Sequence, residues 1–175
     1  PMRYQTIVLG LGAMGSAALR ELSRRRRRVL GIDRFMPGHD RGSSHGATRI
    51  IRLAYFEHPS YVPLLRRAYE LWRELEAASR TELVHITGIA EMGPPDGTLI
   101  QGVLTSVQTH ALRHELLAAE ELMQRYPAFR LPQHYVAVVQ PDGGLVEAER
   151  SIQAMLGLAK HAGAEIRNGE SIRAI

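Results

Sequence analysis

The sequence contains no cysteine among its 175 residues. A disulfide, a thiolate metal site and a cysteine nucleophile are therefore excluded for this chain, and we predict no metal site. Lysine is nearly absent as well: Lys160 is the only one, so the other 21 of the 22 basic residues are arginine. The formal net charge of +4 therefore depends on arginine.

Long hydrophobic runs are also missing. No apolar run approaches the roughly 20 residues that a membrane span requires, so we expect no membrane partner. With 45% hydrophobic and 23% charged residues, the composition is that of an ordinary soluble globular protein. A strand pattern begins almost at the first residue, so no secretory signal is expected and the predicted location is cytoplasmic.

The densest run of charge is the five consecutive arginines Arg24 to Arg28, and no aromatic residues are interleaved with it. A nucleic-acid surface is one interpretation of such a run, but a single-strand binder would carry aromatic side chains for base stacking. The other interpretation is the solvated end of a helix, where cations also meet the negative end of the dipole. We favour the helix end and predict no nucleic-acid partner, with an arginine-rich nucleic-acid module as the non-enzyme alternative.

The segment Ile7–Asp33 has the pattern of a dinucleotide-binding unit. An apolar run leads into Gly-x-Gly-x-x-Gly, in which Gly10 permits a tight turn, Gly12 a close approach to pyrophosphate and Gly15 close packing of the helix on the strand. The helix N-terminus offers free N–H groups to the phosphates, and Asp33 follows Gly15 by eighteen residues, where a carboxylate can bind a ribose. The alternative is an ordinary βαβ unit whose glycines serve packing alone.

Hydrophobic periodicity predicts an α/β fold in which strands alternate with amphipathic helices at both ends of the chain. Adjacent parallel strands at Ile7–Gly10 and Val29–Asp33 are required by this prediction. The predicted strands are 5–10, 28–33, one or two within 83–92 with a break near Gly88, 135–139, 164–167 and 171–175. The predicted helices are 13–27, 60–78, 110–126 and 147–161, with turns at 93–97 and 141–144.

Three basic residues, His45, Arg49 and Arg52, recur at i, i+4 and i+7. On a helix they would share one face, and on a strand they would not. Two arginines in an apolar stretch need anionic partners if they are buried, because an unpaired buried charge is costly. A phosphate, a ligand carboxylate or an anionic cofactor ring could be that partner, and so could an internal acid such as Glu57.

These motifs together resemble the family of monomeric sarcosine oxidase, which includes N-methyltryptophan oxidase and pipecolate oxidase. The most specific match is Gly42-Ser-Ser-His-Gly46 followed by Thr48-Arg-Ile-Ile-Arg52. The glycine motif Gly10-Leu-Gly-Ala-Met-Gly15 is shared by many nucleotide-binding enzymes and is less specific. Further matches run along nearly the whole chain: Ala54-Tyr55, Tyr61-Val-Pro-Leu64, Leu71-Trp72, Thr87-Gly88, Arg125-Tyr-Pro127 and Gly143-Gly144.

The resemblance implies an FAD-dependent oxidase of N-methyl or cyclic amino acids, which yields an imine and hydrogen peroxide with oxygen as co-substrate. It implies catalytic roles for His45 and Arg49 against the flavin ring and for Arg52 on the substrate carboxylate. The cofactor-binding residues that it implies are Gly10, Gly12, Ala13, Met14, Gly15, Asp33, Arg34, Ser43, Ser44, His45, Arg49 and Ile172.

Two further expectations follow from the resemblance. The fold would be a Rossmann-like FAD-binding parallel sheet made of residues 1–84 and 145–175, with part of a β-rich substrate domain, residues 85–144, inserted. Family members are considerably longer than this chain, and their remaining half supplies a flavin-linked cysteine and an oxygen-activating lysine. A missing C-terminal half or a complementary chain is therefore expected, and this part alone should be inactive. The alternative function is an NAD(P)-dependent hydroxyacid-type dehydrogenase, because the glycine motif also opens such enzymes.

Overall fold

A computed structural model of the chain describes residues 3–25 and 27–173. It is a mixed α/β structure that divides into two compact units. The first unit comprises residues 1–49, 72–83 and 146–175, and the second comprises residues 50–71 and 84–145. The predicted α/β class with a parallel sheet is confirmed.

The first unit is built on a three-stranded parallel sheet in the order β1-β2-β9. Its strands are β1 (Thr6–Leu9), β2 (Val29–Asp33) and β9 (Glu165–Asn168). Ile7 pairs with Leu30, and Leu30 pairs in turn with Glu165. The carboxyl ends of the three strands therefore meet at one edge of the sheet, where ligands bind in open α/β folds.

Helix α1 (Ala13–Arg24) follows β1 and covers one face of this sheet. The sequence places Met14, Ala17, Ala18 and Leu22 on one face of this helix, but of these only Leu22 packs against the core. The structure buries Ser16, Leu19 and Ser23 instead and leaves Met14 86% exposed. The serines can be buried because their hydroxyls donate to the carbonyls of Ala13 at 3.2 Å and Leu19 at 2.7 Å.

The arginine run lies at the C-terminal end of α1, as expected for a solvated helix end. Arg24 and Arg25 both form ion pairs with Glu21, at 3.0 and 2.8 Å. Their hydrogen bonds lower the pKa of the Glu21 carboxyl to about 2. Arg26 lies outside the described residues. Each of the two paired arginines therefore has a local partner on its own helix.

Helix α5 (Ala148–His161) packs beside α1 and closes the core of the first unit. It ends before Gly163, whose φ of +92° has the sign expected at the end of a helix. The residues of this core are Leu11, Leu19, Val29, Ile152, Leu156, Ala159 and Ala164. A smaller cluster joins Leu75, Leu83 and Met155, and Trp72 packs against it.

The second unit has an antiparallel sheet in the order β5-β7-β6. Its strands are β5 (Ile89–Gly93), β6 (Glu115–Ala118) and β7 (Val136–Gln140). Helix α3 (Thr98–His110) packs Ile100, Val103 and Val107 into the core of this unit. A short helix, α4 (Ala119–Arg125), follows β6 directly.

The predicted helix at 110–126 was wrong. Residues 115–118 pair with β7 as strand β6, and only Ala119–Arg125 are helical. Leu116, Leu117 and Ala118 favour helices, but their pairing with β7 outweighs that weak local preference. Helix α3 was missed for the opposite reason, because its threonine, valine and isoleucine residues favour strands and only the packing of its apolar face selects the helix.

The remaining elements are α2 (Tyr61–Ser79), β3 (Thr48–Ile51), β4 (Val84–His85) and β8 (Gly144–Glu147). The three strands form a sheet in the order β3-β8-β4. The predicted turn at 141–144 overlaps the start of β8. The predicted strand at 171–175 is not formed at residues 171–173, and its last two residues lie outside the described residues. The break near Gly88 is confirmed by a φ of +78° between β4 and β5.

The compact units differ from the predicted domains at residues 50–71, which group with the second unit although we assigned them to the FAD-binding part. Compactness does not report which residues contact a cofactor, so the domain assignment stays a prediction. Among the described residues, no helix is long and apolar enough to cross a membrane. The same residues contain no cluster of histidine, aspartate and glutamate suited to a metal ion.

Candidate functional site

A cleft of about 490 Å³ lies in the first unit at the carboxyl ends of β1 and β2. It is lined by the glycine motif, by the loop that follows β2 and by the segment after β9. Of the sequence-predicted site residues it brings together Gly10, Gly12, Asp33, Arg34, Ser43, Ser44, His45 and Ile172. Residues from four separate stretches of sequence therefore share one concave surface.

The glycine motif shapes the floor of this cleft. Gly10 has a φ of +84°, a left-handed conformation that favours glycine, and its N–H donates to the Ile32 carbonyl at 2.9 Å. A Cβ atom on Gly15 would lie 1.7 Å from the Gly10 carbonyl oxygen. Helix α1 can therefore approach the end of β1 this closely only because residue 15 has no side chain.

The N-terminus of α1 presents unpaired amides. The N-cap residue is Gly12, which has no side chain to accept a hydrogen bond from the helix. The N–H of Ala13 donates instead to the Ser44 hydroxyl at 3.1 Å. Within the described residues, the amides of Met14 and Gly15 have no acceptor. Free N–H groups at the positive end of a helix dipole form a site for an anion such as phosphate. The exposed Met14 side chain is not needed for this role, because its backbone supplies the donor.

Asp33 holds two segments of the cleft wall together. Its Oδ2 accepts the N–H of Leu11 at 2.6 Å, and its Oδ1 accepts the N–H of Phe35 at 2.9 Å. The His39 Nε2 lies 3.8 Å from Oδ1. A carboxylate has about four lone-pair positions, so two remain for the hydroxyls of a ribose. Asp33 can therefore bind a ligand without giving up its structural role.

For the FAD site that the sequence resemblance implies, we predict that Asp33→Asn will weaken FAD binding about 10-fold and lower the free energy of unfolding by about 1–2 kcal/mol. An amide keeps one acceptor oxygen, but its NH₂ group would face one of the two backbone N–H donors. Fluorescence titration with FAD and urea unfolding of the full-length gene product measure both effects. Asp40→Asn is the matched control, because Asp40 is in the loop that follows β2, its side chain is 81% exposed, and its ion pair is with the neighbouring Arg41. Equal effects of the two substitutions would contradict the role given to Asp33.

Arg49 stabilises the loop that carries Ser43, Ser44 and His45 by hydrogen bonds to its carbonyls. Its Nη1 donates to the Thr48 carbonyl at 2.7 Å, and its Nη2 donates to the carbonyls of Ser43 at 2.6 Å and His45 at 2.5 Å. The His45 Nδ1 donates to the Gly42 carbonyl at 2.5 Å, so Nε2 is the ring nitrogen left for a ligand. The exposed guanidinium of Arg49 thus has carbonyl partners rather than acids.

The segment after β9 supplies cleft residues that sequence reasoning missed. The Glu170 N–H donates to the Asp33 carbonyl at 3.2 Å, which brings this segment beside the end of β2. Asn168 lines the cleft, and its Oδ1 is buried without a hydrogen-bond partner among the described residues. Asn168 could have been predicted as a site residue, because residues at the carboxyl end of a parallel strand belong to the ligand-binding edge.

Arg52 lies in the second unit. It is paired with internal acids, and an internal acid such as Glu57 was one of the partners that the sequence left open. Its Nε lies 3.3 Å from the Glu91 Oε1, and its Nη2 lies 3.9 Å from the Glu57 Oε2. The Tyr55 and Phe56 rings lie 4.7 and 5.8 Å from its guanidinium carbon. Since β3 is a strand that ends at Ile51, the helical arrangement of His45, Arg49 and Arg52 is not formed.

Glu91 was not a candidate from the sequence. Its side chain is 5% exposed, and burial raises the pKa of its carboxyl to about 7 although Arg52 and Gln140 act in the opposite direction. A carboxyl with a perturbed pKa beside a charged partner is a feature of functional sites. No sequence pattern pointed to Glu91, because it is a single acid inside an apolar strand.

The sequence of the chain is similar to the sequences of flavin-dependent enzymes. Residues 5–175 match the family model described as DAO, FAD dependent oxidoreductase. The chain is 45% identical over 163 residues to monomeric sarcosine oxidase of Streptomyces avermitilis, covering 93% of this chain and 42% of that protein. It is 40% identical over 162 residues to N-methyl-L-tryptophan oxidase of Salmonella arizonae, covering 93% and 44%.

A solved structure gives the same result at the level of the fold. The open form of NikD, described as an unusual amino acid oxidase essential for nikkomycin biosynthesis, matches with a TM-score of 0.86 and 30% identity. The match covers 95% of this chain and 43% of that one. The chain therefore spans less than half the length of these relatives.

Proposed function

Because the chain belongs to the family of FAD dependent oxidoreductases, we propose that it forms the FAD-binding part of a longer oxidase of secondary amino acids. The observation that carries this proposal is the cleft in which the glycine turn before α1, the Asp33 carboxylate and the loop at residues 42–45 converge. N-methyl or cyclic amino acids are the proposed substrates, by analogy with the relatives named for sarcosine and N-methyl-L-tryptophan.

The residues of the cleft fit the ADP part of FAD. A Cβ on Gly12 would lie 3.2 Å from the Ser44 hydroxyl, so the open space beside the helix N-terminus depends on glycine. Pyrophosphate would accept the free amides of α1, and ribose would bind Asp33. The residues proposed to hold FAD are Gly10, Gly12, Ala13, Met14, Gly15, Asp33, Arg34, Ser43, Ser44, His45, Arg49 and Ile172.

The chemistry that FAD would supply is the two-electron oxidation of a C–N bond to an imine, with oxygen as the final acceptor and hydrogen peroxide as the product. This chain would contribute binding and charge. Arg52 would bind the substrate carboxylate with its planar guanidinium. Arg49 and His45 would place positive charge and a ring nitrogen at the isoalloxazine end of the cofactor.

The NAD(P)-dependent dehydrogenase predicted as an alternative is not favoured by the family match. The glycine motif alone could not separate the two, because both cofactors contain ADP. An absorbance spectrum of the purified full-length gene product tests the cofactor directly. We expect flavin bands in the spectrum, whereas their absence together with binding of NADH would reverse the order of the two proposals.

A peroxide-release assay tests the reaction. Sarcosine, N-methyltryptophan and pipecolate are the substrates to compare, because each presents a carboxylate and a secondary amine. We expect peroxide from at least one of them and none from the corresponding N-acetylated acids, which have no oxidisable amine. If flavin bands are present but no amine yields peroxide, the proposed cofactor would stand and the proposed substrate class would be wrong.

The remaining part of the active site is proposed to come from a C-terminal half or a complementary chain, and the location is proposed to be the cytoplasm. Coverage of less than half of the relatives supports the first of these. Expression of residues 1–175 with and without the remainder of the gene product tests it, since we expect amine oxidation only from the complete protein. Cell fractionation tests the location.

A further inference from the structure

A buried polar cluster surrounds Arg52 in the second unit. The guanidinium lies against the Tyr55 ring, and the Arg52 side chain is 18% exposed. Its Nε faces the Glu91 Oε1 at 3.3 Å, and both atoms are buried. Neither atom makes a hydrogen bond with any described residue, so the contact is an ion pair without hydrogen-bond alignment. Such a contact holds the Nε edge of the guanidinium against a buried carboxylate.

Gln140 fixes Glu91 from the other side. The Gln140 Nε2 donates to the Glu91 Oε2 at 2.6 Å, and the Gln140 Oε1 accepts the N–H of Ala54 at 3.1 Å. Gln140 is fully buried on β7, and Glu91 is on the neighbouring strand β5. One amide side chain therefore connects Glu91 to the backbone two residues beyond Arg52.

We infer that Glu91, held by Gln140, is a positioning residue that fixes the Nε side of Arg52 and leaves its Nη side for the carboxylate of a ligand. This inference rests on the proposed function, because it gives Arg52 the ligand carboxylate. The Nη1 atom of Arg52 has no partner within the described part of the chain, and Nη2 has only the distant contact with Glu57. A guanidinium with one edge occupied presents its other nitrogens in a fixed direction.

Glu91 also makes the affinity of Arg52 for an anion depend on pH. The charged and polar groups that face Glu91 are Arg52, Glu57 and Gln140, and burial raises its pKa to about 7. Below that pH the Glu91 carboxyl is neutral, and the full charge of Arg52 is available to an anion. Above it, a carboxylate behind the guanidinium lowers the positive potential at the Nη side. The affinity for a carboxylate should therefore fall as the pH rises through 7.

Binding of acetate to the full-length holoenzyme tests this inference, because acetate stays ionised and carries no amine that titrates. By calorimetry, the dissociation constant of the wild type should rise about tenfold between pH 6 and pH 8.5. Glu91→Gln should remove this dependence, because an amide does not titrate. Its single oxygen can face either the Arg52 Nε or the Gln140 Nε2 donor, so the affinity should be the same at pH 6 and pH 8.5. Glu91→Ala should weaken binding at every pH, since nothing then holds the Nε side.

Glu57→Gln is the matched control, because its carboxylate also faces Arg52 but its side chain is 45% exposed. The pH dependence should persist in this variant. Acetate binding that is absent in the wild type, or equal in wild type and Arg52→Ala, would overturn the inference. So would a pH dependence that survives Glu91→Gln and disappears in Glu57→Gln. Failure of the peroxide assay alone would not affect this result, because acetate binding requires no turnover.

Urea unfolding gives a second readout that is independent of any ligand. The pKa of Glu91 is raised from 4.5 to about 7, so the folded state holds this proton more tightly than the unfolded state. The contribution of Glu91 to stability should therefore decrease as the pH rises from about 4.5 to about 7. The difference in unfolding midpoint between wild type and Glu91→Gln should change over this range. A constant difference would show that Glu91 does not titrate there and would overturn the pH dependence.

Discussion

Gly15→Ala is expected to abolish FAD binding and to destabilise the first unit severely. The added Cβ would lie 1.7 Å from the Gly10 carbonyl oxygen and 2.9 Å from its carbonyl carbon. Both atoms belong to the backbone turn that ends β1, so no side chain can move aside to make room. Helix α1 would have to move away from the strand, and the amides that we propose for the pyrophosphate would move with it.

We expect Gly15→Ala to lower the free energy of unfolding by about 3 kcal/mol or more, which is at the upper end for overpacking. The affinity for FAD should fall at least about 100-fold. Flavin content after purification, titration of the apoprotein with FAD, and urea unfolding measure the two effects separately. Retained secondary structure by circular dichroism would show that the loss of FAD reflects the altered cleft rather than a chain that does not fold.

Gly157→Ala is the matched control for this substitution. Gly157 lies inside helix α5, and a Cβ there would have no heavy atom within 4 Å. Alanine in a helix interior is about 0.5–1 kcal/mol more favourable than glycine, so this variant should be slightly more stable than wild type and bind FAD normally. Normal FAD binding by Gly15→Ala would contradict the close approach of α1 and β1 on which the site depends.

Arg52→Ala is expected to raise the KM of the full-length enzyme about 30- to 1000-fold, which corresponds to a loss of about 2–4 kcal/mol. The contact with the substrate carboxylate would exist both before and during the chemical step, so its loss should appear mainly in KM rather than kcat. Removal of Arg52 also leaves Glu91 buried without its cation. Arg52→Lys should restore only part of the affinity, because a point charge cannot reproduce the planar guanidinium.

Arg49→Ala is the control for Arg52→Ala, because the two arginines have different proposed roles. Arg49 donates to three carbonyls of the loop around Ser43 and His45, so its loss should loosen the proposed flavin-binding wall. FAD affinity and kcat should fall more than substrate affinity. Steady-state kinetics of both alanine variants decides between the roles. If Arg52→Ala leaves KM unchanged while Arg49→Ala raises it, the two roles have been assigned the wrong way round.

The first unit could be predicted largely from the sequence, because its signals are local. The glycine motif, the apolar run before it and the apolar run ending at Asp33 fix β1, α1 and β2 within a residue or two at most ends. The turn at Gly10 and the close approach at Gly15 follow from the absence of a side chain, which can be read from the sequence directly. The buried face of α1 could not, because serines that bond back to their own helix are polar in every hydrophobicity scale.

The second unit was predicted less well, because its elements depend on partners distant in sequence. Strand β6 consists of helix-forming residues that pair with β7, and helix α3 contains many β-branched residues that favour strands, although its apolar face is buried. In both cases the local preference is a few tenths of a kilocalorie per residue, while the burial of apolar side chains contributes more.

The two arginines show most clearly what each level of description decides. The sequence by itself identified Arg49 and Arg52 as charges in an apolar stretch that require partners. Only the tertiary structure selected those partners: loop carbonyls for Arg49, and Glu57 with the buried Glu91 for Arg52. The physical reason is that the need for a counter-charge is a property of one residue and its neighbours in sequence. The identity of the counter-charge depends on which strands pair, and Glu91 reaches Arg52 only from a strand that begins 37 residues later (89 − 52).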